Sequence, residues 1–191
     1  MQHEKQTGPQ ASNEILATPS WDRGLYVYPT ISRRAGGVSL GINLNPDKRC
    51  NFNCVYCEVD RVTPPRTRKV ALDVLEKELR QAIAGWRSGA LFREEGFAAV
   101  PEAFRKLRFL TFSGDGEPTA CPDFDRAAEV VTRVRDEVAP PDTEVVLITD
   151  SACFGEERVR AGLRTLARGP HQIWAKLDAG TEAHYRRVNR S

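Results

Sequence analysis

Cys50, Cys54 and Cys57 stand at C-x3-C-x2-C spacing within one asparagine-rich stretch, Arg49-Cys50-Asn51-Phe52-Asn53-Cys54-Val55-Tyr56-Cys57, and no fourth cysteine follows nearby. Soft thiolates select iron-sulfur clusters, zinc or cuprous copper, and an electron-carrying 4Fe-4S cluster closes all four irons with four cysteines. Three thiolates would leave one iron open to a small molecule. A structural zinc site would want four closed ligands, normally two pairs. The remaining cysteines, Cys121 and Cys153, are isolated, and His3, His171 and His184 form no pair at zinc-finger spacing. The bland alternative is three reduced cysteines acting as small buried hydrophobes.

A second constellation lies about sixty residues on, at Phe112-Ser113-Gly114-Asp115-Gly116-Glu117-Pro118-Thr119. It follows a short apolar and aromatic run, residues 107–112, that reads as a buried strand. Gly114 and Gly116 allow positive φ or close approach of backbone to a ligand, and Glu117 supplies an acceptor beside them. Alone, such a turn is more often a plain strand-to-helix connection.

These two motifs, with residues 37–46 leading into the cysteine loop, resemble the radical S-adenosylmethionine (SAM) superfamily. The resemblance covers roughly residues 37–189, and around both motifs the sequence resembles the branch of wyosine-forming tRNA enzymes and related uncharacterised bacterial iron-sulfur oxidoreductases. It implies that Cys50, Cys54 and Cys57 hold a 4Fe-4S cluster whose open iron is chelated by the SAM amino and carboxylate groups. Reductive cleavage of SAM would then start radical chemistry on a substrate. Tyr56 falls where the family places a side chain against the adenine. Asp115, Gly116, Glu117 and Pro118 match the family's Gly-Gly-Glu-Pro, which binds the SAM amino group through backbone carbonyls, with Asp115 replacing the first glycine. Thr149 and Ser151, flanking Asp150, occupy the place of a Thr-Asn-Gly or Thr-Asn-Ser motif and would face the SAM sugar or methionine. The resemblance implies SAM and a reducing donor such as flavodoxin or ferredoxin as partners, with tRNA as one substrate class. The competing class is a non-catalytic cluster-binding or electron-transfer module, for which the 115–118 turn would be incidental.

The elements that must position these residues alternate. After a polar segment at 1–20, read as a mobile tail, a core domain spans 21–191. Residues 38–44 read as its first strand. Leu72, Leu75, Leu79 and Ile83 mark the buried stripe of a helix over 72–86, and 89–103 has no clear period and looks like an insertion. A helix over 123–138 carries the stripe Phe124, Ala128, Val131 and Val134 and stops at Pro140-Pro141. Residues 144–149 form a strand buried on both faces, 156–167 a helix, 173–177 a fourth strand, and 181–190 another helix. Such alternation argues for an α/β fold with about four parallel strands and right-handed crossovers. By resemblance it is a partial (β/α) barrel of the radical SAM type, with the site at the C-terminal strand ends. The family barrel continues for two more units, so the chain is expected to be a fragment of a longer protein.

Lys176 and Asp178 are two apart at the end of the fourth strand and should share a face. One reading gives Asp178 the SAM ribose and Lys176 its carboxylate; the other makes them a mutual ion pair. His171 and His184 read as solvated residues, and Cys121 and Cys153 as buried thiols. The basic loop residues Arg61, Arg66, Arg68 and Lys69 would suit phosphate contacts, although they also suit a solvated loop.

Composition fits an enzyme of a reducing compartment. The chain has 191 residues, 40% hydrophobic and 28% charged, enough for one domain with a core. Five cysteines with three clustered argue against a secreted disulfide scaffold. No long apolar run or signal-peptide pattern appears, and the cytoplasm is the expected location. A net charge of +2 does not by itself point to nucleic acid.

Overall fold

The runs with buried-strand character become parallel neighbours in the computed structural model, which describes residues 24–190. The strands are Val27–Ser32 (β1), Gly37–Ile42 (β2), Leu107–Phe112 (β3), Glu144–Thr149 (β4) and His171–Ala175 (β5). They lie in the order β1-β2-β3-β4-β5, with β2 through β5 mutually parallel and β1 antiparallel to β2. The four expected parallel strands are present; β1 is an addition to them. Its Pro29 breaks the strand signature, yet β1 is an edge that pairs only with β2, and an edge tolerates a missing N–H. The expected 1–20 tail lies outside the described residues.

Strand alternation sorts the two faces of the sheet. Leu40, Ile42, Leu110, Phe112, Val145 and Leu147 point to one face and belong to a single buried core. The helices Leu72–Arg87 (α1), Phe124–Val138 (α3) and Glu157–Leu166 (α4) pack there, with α3 between α1 and α4. The expected stripes hold: Leu75, Leu79 and Ile83 are buried on α1, and Phe124, Ala128, Val131 and Val134 on α3. The aperiodic 89–103 segment folds into 3-10 turns around the short helix Glu95–Ala98 (α2), burying Leu91 and Phe97. Its pieces are too brief to carry a helical stripe. The final helix is Glu182–Val188 (α5).

Two strands differ from expectation in their bounds. β2 stops at Ile42 rather than 44, because the Asn43 carboxamide oxygen accepts the Asn45 N–H at 3.0 Å and turns the chain. β5 begins two residues early, paired from His171 against Val145, and ends at Ala175, so Lys176 and Asp178 lie beyond it. Its polar start is tolerated because β5 is an edge with alternating exposed residues.

The sheet curls. In a flat sheet β1 and β5 would stand about 19 Å apart, at ~4.8 Å per strand. The Arg34 guanidinium from the β1–β2 turn nevertheless lies 4.4 Å from the centre of the Trp174 ring on β5. Among the described residues the sheet is open, and no helix is long and apolar enough to cross a membrane.

Candidate functional site

The parallel strands β2, β3, β4 and β5 end at Ile42, Phe112, Thr149 and Ala175. Asn43, Ser113, Asp150 and Lys176, the residues that follow, therefore gather at one edge of the sheet. This is the edge at which parallel α/β sheets bind ligands. A cleft of about 290 Å³ opens there, lined by Cys50, Cys54, Tyr56 and Cys57 on one side and by Asp115, Gly116, Glu117, Asp150 and Lys176 on the other.

Buried polar groups build the floor. The Glu117 carboxylate is 4% exposed and takes four hydrogen bonds: from the Thr119 N–H (3.1 Å) and hydroxyl (2.5 Å), the Thr149 hydroxyl (2.6 Å) and the Asp150 N–H (2.8 Å). A buried charge persists only when so satisfied. Glu117 thus ties the end of β3 to the end of β4. Thr149, wholly buried, spends its hydroxyl on that carboxylate instead of facing the cleft. Asn43 and Asp115 make a second tie: the Asn43 amide donates to the Asp115 carboxylate at 2.8 Å, and the Asp115 N–H donates back at 3.2 Å.

Two glycines are sterically required. Gly114 has φ +150°, and a Cβ there would lie 2.6 Å from the Asn43 side chain. A Cβ on Gly116 would fall 2.0 Å from the Arg49 carbonyl oxygen and 2.8 Å from Asn45 Cβ. Gly116 lets the β3 turn seat directly beneath the start of the cysteine loop.

The cysteine loop itself is irregular and open. Cys50 and Cys54 are half-buried, Cys57 is exposed, and all three are free thiols. The Phe52 N–H points at the Cys50 sulfur (3.5 Å), and the Arg61 guanidinium at the Cys57 sulfur (3.6 Å). Among the described residues no three His, Cys, Asp or Glu side chains gather where a single metal ion could sit. Thiolates of a cluster bind separate irons and so stand further apart than ligands of one ion.

Tyr56 leans across the cleft mouth. Its hydroxyl donates to the Asp178 carboxylate, and the Lys176 ammonium stands 5.8 Å from the centre of its ring. Asp178 thus engages Tyr56, and among the described residues no ion pair joins it to Lys176. Desolvation, followed by the hydrogen bond to Asp178, pushes the Tyr56 phenol above its usual range. Burial likewise raises Asp150, with Glu117 adding to it, and raises the thiols of Cys121 and Cys153.

Of the residues singled out from the sequence, Cys50, Cys54, Cys57, Tyr56, Asp115, Gly116, Glu117 and Lys176 share the cleft wall. Asp178 reaches it through Tyr56. Pro118, Thr149 and Ser151 do not line it; Ser151 sits at φ +67° with its hydroxyl oxygen buried and unpartnered among the described residues. The cleft also needs Asn43 and Asn45, which sequence reasoning passed over, and Asp150, noted there only as the residue between Thr149 and Ser151. The signal available for Asn43 and Asn45 was an Asn-x-Asn directly after a strand, a turn signature.

No family model matches the chain. It is 31% identical over 165 residues to a UPF0026 protein of Methanocaldococcus jannaschii, covering 85% of this chain and 43% of that protein. It is 27% identical over 137 residues to a UPF0026 protein of Helicobacter pylori, covering 71% and 38% respectively. The chain therefore spans less than half the length of these relatives. A solved structure of BtrN in complex with AdoMet and 2-DOIA aligns over 78% of this chain and 49% of that one, with 19% identity and a TM-score of 0.42, a likeness too loose to argue from.

Proposed function

We propose that the chain carries the catalytic core of a radical SAM enzyme. A single observation supports this most: three thiols from one loop, the glycine turn after β3 and Lys176 after β5 converge on one cleft at the C-terminal sheet edge. Those thiols suit a 4Fe-4S cluster with one open iron, and the N–H of Phe52 and the guanidinium of Arg61 already aim at two sulfurs. Hydrogen bonds to sulfur are a known lever on cluster potential. The bound group would supply the electron that splits SAM into methionine and a 5'-deoxyadenosyl radical.

The chain's own residues do the holding and shaping. Cys50, Cys54 and Cys57 would hold the cluster through their thiolates. Residues 115–117 offer backbone at the cleft floor, where Gly116 keeps the surface clear of a side chain and the buried Glu117 fixes the turn. Lys176 brings a positive charge to the cleft, suited to the SAM carboxylate. Tyr56 supplies an aromatic face and holds Asp178 at the rim, suited to adenine and ribose. The Thr149 hydroxyl contributes through Glu117 rather than by touching ligand.

The test is anaerobic reconstitution with iron and sulfide, followed by SAM calorimetry. Saturable SAM binding is expected for the reconstituted wild type and not for Cys54→Ala. A full cluster that binds no SAM would favour the electron-transfer module.

A further inference from the structure

The stretch between Cys50 and Cys57 is fastened by a segment more than 130 residues away. Cys54 and Asn189 form an antiparallel bridge. On either side of it the Val55 N–H donates to the Val188 carbonyl at 2.9 Å, and the Arg190 N–H donates to the Asn53 carbonyl at 3.1 Å. The Asn189 side chain completes the clip. Its carboxamide oxygen accepts the Asn53 N–H at 2.9 Å, and its amide donates to the Tyr185 hydroxyl at 2.5 Å. The Tyr185 ring meets Phe52 edge-on, with centroids 5.9 Å apart.

Asn189 is 3% exposed, while Asn53 and Val55, the loop residues that segment 188–190 holds, are exposed. A buried carboxamide must be satisfied on both its oxygen and its nitrogen, and here each goes to a different partner. That geometry fixes one placement of Asn53 relative to Tyr185. Cys54 lies between the two clipped backbone amides, so its Cα cannot shift without breaking the ladder. By contrast, Cys57 lies outside the clip and contacts Arg61.

We infer that Asn189, with the backbone of residues 188–190, is a positioning device that sets Cys54 for its ligand role and couples the cysteine loop to α5. The inference rests on the radical SAM reading for the ligand role of Cys54; the clip itself does not depend on it. Because α5 follows the Lys176–Asp178 segment, and Tyr56 hydrogen-bonds Asp178, the loop is fastened at two points to the same stretch of chain. A ligand engaging Lys176 and Asp178 would therefore be felt at Cys54 and Tyr56 together.

The test uses the 191-residue chain, wild type against Asn189→Ala and Asn189→Asp. In the metal-free protein, amide hydrogen exchange at Asn53 and Val55 should accelerate at least 10-fold in N189A, with the amides of β3 and β4 unchanged. N189D retains the oxygen that accepts from Asn53 and should show most of the wild-type protection. After reconstitution, N189A should still load iron through Cys50 and Cys57 but give a shifted reduction potential and an altered electron paramagnetic resonance line shape, partly restored in N189D. Unchanged exchange at Asn53 and Val55 would overturn the clip. Faster exchange with an identical potential and line shape would overturn its role in placing Cys54. If the wild type takes up no cluster, the radical SAM reading fails while the exchange experiment still judges the clip.

Discussion

The two walls of the cleft are built in opposite ways. The turn after β3 is buried and satisfied: Glu117 collects four donors, Asn43 and Asp115 pair reciprocally, and Gly114 and Gly116 permit close packing. The cysteine loop is largely exposed, with Tyr56 at 49% and Val55 at 50%. It is held where Arg49 meets Gly116 and where Asn189 clips it. One wall is thus completed by the protein's own hydrogen bonds, whereas the other leaves its thiols free. A site of this kind separates a preorganised floor from a wall that a ligand can finish.

If that contrast holds, substitutions in the floor should destabilise the protein and substitutions in the loop should not. The largest effect is expected for Glu117→Ala, which strands the Thr149 hydroxyl and the Asp150 N–H. At about 1–3 kcal/mol for each buried group left unsatisfied, the loss should be about 4 kcal/mol. Thermal melting of the metal-free protein should register a fall of roughly 8–16 °C. A change under about 1 kcal/mol would mean that the floor is not preorganised. Gly116→Ala should come next, at about 2 kcal/mol for an overpacked contact that cannot relax against a backbone carbonyl. It should also loosen residues 49–51 in hydrogen exchange.

Cys57→Ala sharpens the other side of the comparison. Its exposed thiol meets the Arg61 guanidinium, so stability of the metal-free protein should stay within about 0.5 kcal/mol, while iron uptake after reconstitution should collapse. The smallest effect lies far from the cleft, between α1 and α3. Hydrogen bonds from Arg133 and Arg80 lower the Glu76 carboxyl to about 2. A carboxylate lowered on folding stabilises above its ordinary range, and that contribution is lost as pH falls toward about 2. Glu76→Gln should therefore leave the stability at pH 7 little changed, since the pair is screened by solvent, and should flatten the acid limb of the stability–pH curve below about pH 4.5.

How much of this was legible in the sequence follows the same division. β3 and β4 appeared with their bounds because each is a short run dominated by apolar residues, and the α1 and α3 stripes because each helix is long enough to show a period. The cysteines and the glycine turn were legible because few residue types can do their work. The ties between them were not. Asn43, Asn45 and Asn189 act through contacts formed only after folding, and an asparagine beside a turn looks the same whether its carboxamide is buried or solvated. Thr149 was expected to face ligand because it occupies the place of the family's Thr-Asn-Gly or Thr-Asn-Ser motif; only the placement of Glu117 shows where its hydroxyl is spent. β1 escaped through Pro29, and the shift of β5 through the edge character that admits His171 and Gln172.

The measurement that bears most directly on the cofactor reading is electron paramagnetic resonance of the anaerobically reconstituted, reduced chain with and without added SAM. The arrangement of Cys50, Cys54 and Cys57 opposite residues 115–117 and Lys176 predicts a 4Fe-4S signal whose shape changes when SAM is added. A cluster signal indifferent to SAM, or no cluster at all, would contradict it.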